Sequence, residues 1–462
     1  MRDILRVSGG NVLFLALSII MTLFLPFILS VEDFGYWQLF YFYSSFSGLL
    51  MFGFNDGIHL RFAGVSENEL KNIPVGNYFI FNLLFAGILT ILFLIVIMII
   101  DIDTQRKIVF FSLGIYLWLF NINSFFNHVY LITMQFKKYS FLKYAQRLLF
   151  LILLIVNILT INIFNYKSVI FLYGGAICLL ILLNIYLNYS ILFKHKYGTT
   201  IKDIVTNFKR GLPLTIAAII SMLLVGYPRI IVDNNFSIEI FSVYSLASSM
   251  LSMLITVILS ISTVLYPKLK KKSKNDIGII MHKATSIIAP VLIISFLSYF
   301  VFVIIIRNFL QQYISILDFI HFIMPLVYFQ ALFNIIIVNL FKIYDLEKNL
   351  FITNSMGLIF NILITYFVFS IYESLEVIAL VSTITYGIFF LVSLVYVSNL
   401  TQWDYKKHHL WADYIYMVIF IIAIELFHEY ITFVVILIST IIYALYILII
   451  KKYYLLFIGG RE

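Results

Sequence analysis

Apolar residues in this chain gather into runs of about twenty, separated by short clusters of Lys, Arg, Asn, Asp and Gly. A run of that length crosses the hydrocarbon core of a bilayer as one helix, and a helix satisfies its own backbone where water is absent. The pattern predicts spans near 8–30, 36–55, 77–100, 108–133, 145–164 and 169–193. After a polar break it predicts spans near 212–233, 239–265, 278–306, 318–341, 349–371 and 376–398. A last pair, 413–428 and 430–450, is joined only by "FHEYI". The expected fold class is all-α: a polytopic integral membrane protein with about fourteen transmembrane helices.

Composition makes lipid the solvent for most of the chain. Of 462 residues, 63% are hydrophobic and 11% charged, with mean hydropathy +1.04; a soluble domain is roughly half apolar and about a quarter charged. Cys178 stands alone in "YGGAICLLILL", so neither a disulfide nor a Cys-based metal site is available. The opening "MRDILRVSGGNVLFLALSII" has charge followed by an apolar stretch. It lacks a small-residue cleavage site and is long enough to span, so it reads as an uncleaved first helix.

Charge orients the spans. With the N-terminus inside, 26 of the 31 Lys and Arg fall in inner segments, among them "KKYSFLKYAQR", "KHKYGTTIKDIVTNFKR" and "KLKKKSK". Four lie in outer connections (Arg106, Lys107, Lys167, Arg307), and Arg229 lies within a span. This asymmetry predicts an even number of spans with both termini cytoplasmic. The net charge of +9 then reads as orientation and contact with anionic membrane lipids, not as nucleic-acid binding.

The long inner connection from Lys194 to Gly211 divides the chain. Each half then begins alike, as "EDFGYWQLFYFYSSFSGLL" and "EIFSVYSLASSMLSMLI" show. Six spans per half give both halves one orientation, a parallel repeat about an axis along the membrane normal. The expected organisation is an N-terminal six-helix bundle over 1–200, a second over 201–400, and an extra helix pair with a cytoplasmic tail over 401–462. Such paired bundles usually enclose a central cavity able to open to either side.

The segment "FGYWQLFYFYSSFSGLLMFGFNDGIHLRFAG", with the later "VYSLASSMLSMLITVILSISTVLYPKL" and "NLFITNSMGLIFNILITYFVF", resembles the polysaccharide flippases of the multidrug/oligosaccharidyl-lipid/polysaccharide exporter superfamily. The resemblance runs from about Asn11 to Asn399. It implies a flippase that moves an undecaprenyl-diphosphate-linked oligosaccharide across the bacterial plasma membrane for capsule, O-antigen or exopolysaccharide assembly. A polysaccharide polymerase and a chain-length regulator are the protein partners it implies. The sequence departs from the pattern twice. Relatives often carry Arg after the proline of the first span, where this chain has Pro26-Phe27, and Asp-Arg in the seventh, where it has Pro228-Arg229.

The candidate residues each have a structural and a functional reading. Arg229 lies about 25 Å into its span at 1.5 Å per residue. It either snorkels outward beside Asp233, one turn on, or faces the interior as a diphosphate ligand or gate pair with Asp233. In "FNDGIHLRFAG", Asp56-Gly57 reads as a helix stop, or Asp56, His59 and Arg61 form a cytoplasmic entry site where Arg61 meets a diphosphate. Asn121, Ser124 and His128 fall at i, i+3 and i+7, one helix face, which either bonds neighbouring helices or lines a sugar-binding wall. His321, Gln330 and Asn334 offer a similar wall around Pro325, with His321 able to carry a coupling proton.

No phosphate-cradling loop for ATP, H-E-x-x-H, Ser nucleophile elbow or Cys pair occurs. Alternating-access transport without catalysis is therefore expected, with no cofactor and with proton or sodium coupling as a supplement to the membrane potential. Three rivals remain: a cation-coupled drug exporter, a lipid-linked peptidoglycan precursor flippase and a membrane glycosyl polymerase. They would require, in turn, a carboxylate deep in the first or seventh span, several arginines in the early spans, and long outer loops.

Overall fold

The computed structural model describes residues 17–458, apart from 67–68, 161–162, 194–197, 270–273, 402 and 404–409. The start of the first span, Arg2, Arg6, Lys194, Lys196, Lys270, Lys271, Lys272, Lys406, Lys407 and Arg461 therefore lie outside the described residues. Among the described residues there is no strand, and 11 helices are long and apolar enough to cross a membrane. The protein is an all-helical polytopic membrane protein.

Among the described residues, helices or broken helices lie within each expected span. The first unit contains α1 (Leu17–Ile28), α2 (Val31–Ser44), α3 (Phe54–Phe62), α4 (Val75–Ile99), α5 (Thr104–Ile132), α6 (Phe136–Thr160), α7 (Tyr166–Leu187), the short α8 (Tyr189–Phe193) and α9 (Ile201–Asn235). The helix α10 (Ile238–Leu269) leads on to α11 (Lys274–Ile294), α12 (Ser298–Phe309), α13 (Ile320–Ile323), α14 (Pro325–Leu332), α15 (Val338–Ile343), α16 (Glu347–Phe369), α17 (Leu375–Thr401), α18 (Leu410–Leu426) and α19 (Glu429–Ile458). By compactness the chain divides into Met1–Leu246 and Ala247–Glu462, a boundary inside α10. The division at residue 200 follows a sequence repeat, whereas this one follows packing, so α9 lies in the first unit.

Polar residues at the connections start the helices. Asp103 accepts hydrogen bonds from the Gln105 and Arg106 amides at the head of α5. Thr200 and Asp203 bond reciprocally as a capping box on α9, satisfying amides that have no partner within the helix. Between caps, the apolar faces divide by solvent. In α4, Ile88, Ile91, Leu92, Ile95, Met98 and Ile99 are exposed, the outward surface of a helix meant for lipid. In the second unit, by contrast, 83% of an 18-residue stretch within Ile320–Ile343 is buried, and the segment packs on α17, α11 and α18, which makes it that unit's centre.

The second predicted span is broken. After α2 the backbone tightens into a 3-10 segment, Ser45–Met51, then passes through Phe52 and Gly53, both left-handed (φ 46° and 81°), before α3 begins. Asp56-Gly57, read from sequence as a stop, lies inside α3. The reason is packing on α9. A Cβ on Gly53 would lie 2.3 Å from the Gly211 carbonyl carbon, and one on Gly57 would lie 1.8 Å from the Asn207 carbonyl oxygen. Glycines four residues apart let the backbones of α3 and α9 approach this closely. The pairings run antiparallel, 53 with 211 and 57 with 207.

Candidate functional site

Close packing of α3 on α9 brings together the polar residues of "FNDGIHLRFAG", α5 and the first turns of α9. Arg61 donates to Asp203 Oδ1 at 2.9 Å, to the Asp203 carbonyl at 3.0 Å and to Asn207 Oδ1 at 2.7 Å. Its guanidinium is thus occupied in holding α3 to α9. A fork that suits phosphate suits a carboxylate equally, and in this structure it is bound to one. Asp56, one turn away, accepts from Thr215 Oγ1 at 3.2 Å, and its other oxygen lies 3.3 Å from His128 Nε2. The His59 ring stands 6.0 Å from that of His128. Asp56, His59, Ser124 and His128 therefore do converge.

Asn121 separates from them. It is buried and donates to the Ser47 carbonyl at 3.0 Å and to the Leu117 carbonyl at 2.8 Å, bonding α5 to the 3-10 segment. Ser124 and His128, lower on the same face, remain half-buried, so the predicted wall shortens to those two.

At the opposite end of the first unit the expected Arg229–Asp233 pair does not form. Asp233 is buried and instead accepts from Arg106 at 2.6 Å and from the Tyr43 hydroxyl at 2.7 Å. Arg106 also donates to the Asp233 carbonyl at 3.2 Å. Arg106, in the first turn of α5, and Tyr43 of α2 thus tie their helices to α9. By sequence Arg106 falls in an outer connection, because a side chain reaching about 127 positions ahead leaves no local signal.

Arg229, half-buried one turn before Asp233, has no hydrogen bond or carboxylate partner among the described residues. Its guanidinium carbon lies 5.7 Å from the centre of the Phe42 ring, a cation–π contact that orients the group without neutralising it. Pro228 precedes it, interrupting the backbone bonding of α9 beside the charge.

In the second unit, His321 is buried and its Nε2 lies 2.7 Å from Glu425 Oε1. Asn334 sits in a π-helical turn, Phe333–Ile337, and donates back to the Gln330 carbonyl at 2.8 Å, with Gln330 itself buried. A buried carboxylate missed in the sequence lies nearby. Asp413 accepts from the hydroxyls of Tyr328 and Tyr443, linking α18 and α19 to α14. Its signal was a carboxylate at the head of an apolar run, which is rare enough within membranes to mark a specific contact.

No family profile and no curated protein matches the chain. Solved structures share its fold. The lipid II flippase MurJ in an inward closed conformation superposes with TM-score 0.66 at 16% identity, covering 98% of both chains. A multidrug resistance MATE family transporter of the MOP superfamily, in its inward-facing conformation, gives 0.62 at 11% identity over 87% of this chain and 99% of that one. An outward-facing conformation of such a transporter gives 0.52 at 12% identity, over 87% and 96%. The chain thus has the fold of membrane exporters and flippases.

Proposed function

We propose that this protein is a flippase that carries an undecaprenyl-diphosphate-linked oligosaccharide across the bacterial plasma membrane by alternating access, without catalysis. One observation carries the reading. Arg61 and Arg106 are each bound to an aspartate, while Arg229, within the membrane-spanning part of α9, has no carboxylate partner among the described residues. A half-buried guanidinium left unneutralised suits a ligand that brings its own negative charge, and its planar fork suits phosphate oxygens. The same feature disfavours a cation-coupled drug exporter, because the carboxylate that such a reading needs in this helix, Asp233, is already neutralised by Arg106.

Energetics agree with an anionic cargo. An inside-negative potential drives anions outward with about 2.3 kcal/mol per charge per 100 mV, so a diphosphate gains several kcal/mol without ATP. A lipid-linked peptidoglycan precursor shares this chemistry, and the 98% coverage of the MurJ structure favours it as the second reading. Chromosomal deletion separates the two. Loss of surface polysaccharide, with lipid-linked repeat units held in the inner leaflet of growing cells, is the expected result. Units that reach the outer leaflet unpolymerised would refute the flippase reading, and lysis with precursor accumulation would transfer it to peptidoglycan.

A further inference from the structure

Both nitrogens of the His128 ring face acceptors, and these fix where its protons lie. The Ser124 carbonyl oxygen stands 2.8 Å from Nδ1. A carbonyl only accepts, so Nδ1 carries a hydrogen whether the ring is neutral or charged. In a neutral ring Nε2 is then bare, and it lies 3.3 Å from Asp56 Oδ1. A bare nitrogen and an ionised carboxylate repel at that distance. Attraction requires one proton between them, either on the imidazole beside a carboxylate or on the carboxyl beside a neutral ring.

We infer that Asp56 and His128 form a proton-binding site within the first unit, which holds one shared proton and whose emptying weakens the contact of α3 with α5. The surroundings isolate that effect. Thr215 of α9 donates to the other carboxylate oxygen at 3.2 Å, a bond that does not depend on the shared proton. The α3–α9 contact therefore persists in both states, as does the ion pair of Arg61 with Asp203. The titratable groups facing Asp56 are His128 from α5 and His59 from its own helix; α9 presents Thr215, its Asp203 being held by Arg61. The Asp56 side chain is 40% exposed and that of His128 19%, so a proton can enter and leave. Occupancy thus shifts the balance between two packings of α3, by the difference in proton affinity between them. The site stands on these contacts whatever the substrate is.

Imidazole nitrogen shifts of 15N-histidine-labelled protein in lipid nanodiscs test the site across a pH series. One of the eight histidines should carry its hydrogen on Nδ1 when neutral, and its signal should vanish in His128→Gln. In Asp56→Asn, which removes the carboxylate facing Nε2, the Nε2 resonance should lose the displacement that a proton shared with Asp56 gives it, while the Nδ1 hydrogen stays in place. Thr215→Val, which touches only the other oxygen, should leave the tautomer unchanged. A neutral His128 with its hydrogen on Nε2 overturns the inference from the wild-type protein alone. So does an Nε2 resonance that Asp56→Asn leaves unchanged.

Discussion

Replacing Arg229 with alanine separates the two readings of that residue. If the guanidinium meets a diphosphate, the substitution removes charge-assisted hydrogen bonds, each contributing about 1.5–3 kcal/mol. One lost bond corresponds to about a 10- to 150-fold fall in transport per inserted molecule, and loss of a two-bond fork to more. Stability should hardly move. No carboxylate is left orphaned, because Asp233 is bound by Arg106 and Tyr43. Only the contact over the Phe42 ring is lost, about 0.5–2 kcal/mol for a half-buried group. Arg229→Lys should retain part of the activity, since the charge survives while the planar fork does not. The assay is flipping of a fluorescent undecaprenyl-diphosphate oligosaccharide in proteoliposomes, normalised to protein inserted in the correct orientation. Wild-type flipping by the alanine variant would remove Arg229 from the mechanism. A variant that loses abundance while each remaining molecule flips normally would restore the snorkelling interpretation.

Arg106→Ala should behave oppositely, costing about 3 kcal/mol because it leaves the buried Asp233 carboxylate without its cation; thermal unfolding in detergent reads this, and Arg106→Ala with Asp233→Asn should recover most of it. Recovery of neither stability nor abundance in the double variant would show that the pair is not what joins α5 to α9. Gly57→Ala should destabilise by about 1–3 kcal/mol, as its methyl would meet the Asn207 carbonyl backbone at 1.8 Å, where no side chain can turn aside. An unchanged melting temperature would disprove that α3–α9 approach. Cysteines at Lys107 and Lys167 should react with an impermeant thiol reagent outside intact cells, while one at Lys209 should not; external labelling of Lys209 would invert the topology.

The sequence by itself determined that this is an all-helical membrane protein and where its apolar segments lie, because hydropathy over about twenty residues is a local quantity that lipid enforces on every segment alike. It also exposed the residues that needed explaining, since a charge in an apolar run is conspicuous wherever the chain later folds. Partners were decided elsewhere. Asp233 lies one helical turn from Arg229, and sequence distance favoured that pair, yet the tertiary fold brings Arg106 and Tyr43 to it instead. Arg61 looked available until α9 presented Asp203 and Asn207, more than 140 positions away. The break at Phe52-Gly53 was hidden for a similar reason: an apolar run reads as continuous helix, while the need for two glycines to admit the backbone of α9 exists only once the helices pack. Hydrophobic burial depends on each segment's own composition, whereas the neutralisation of a charge depends on which distant group the packing brings within reach, and only the packed structure settles that.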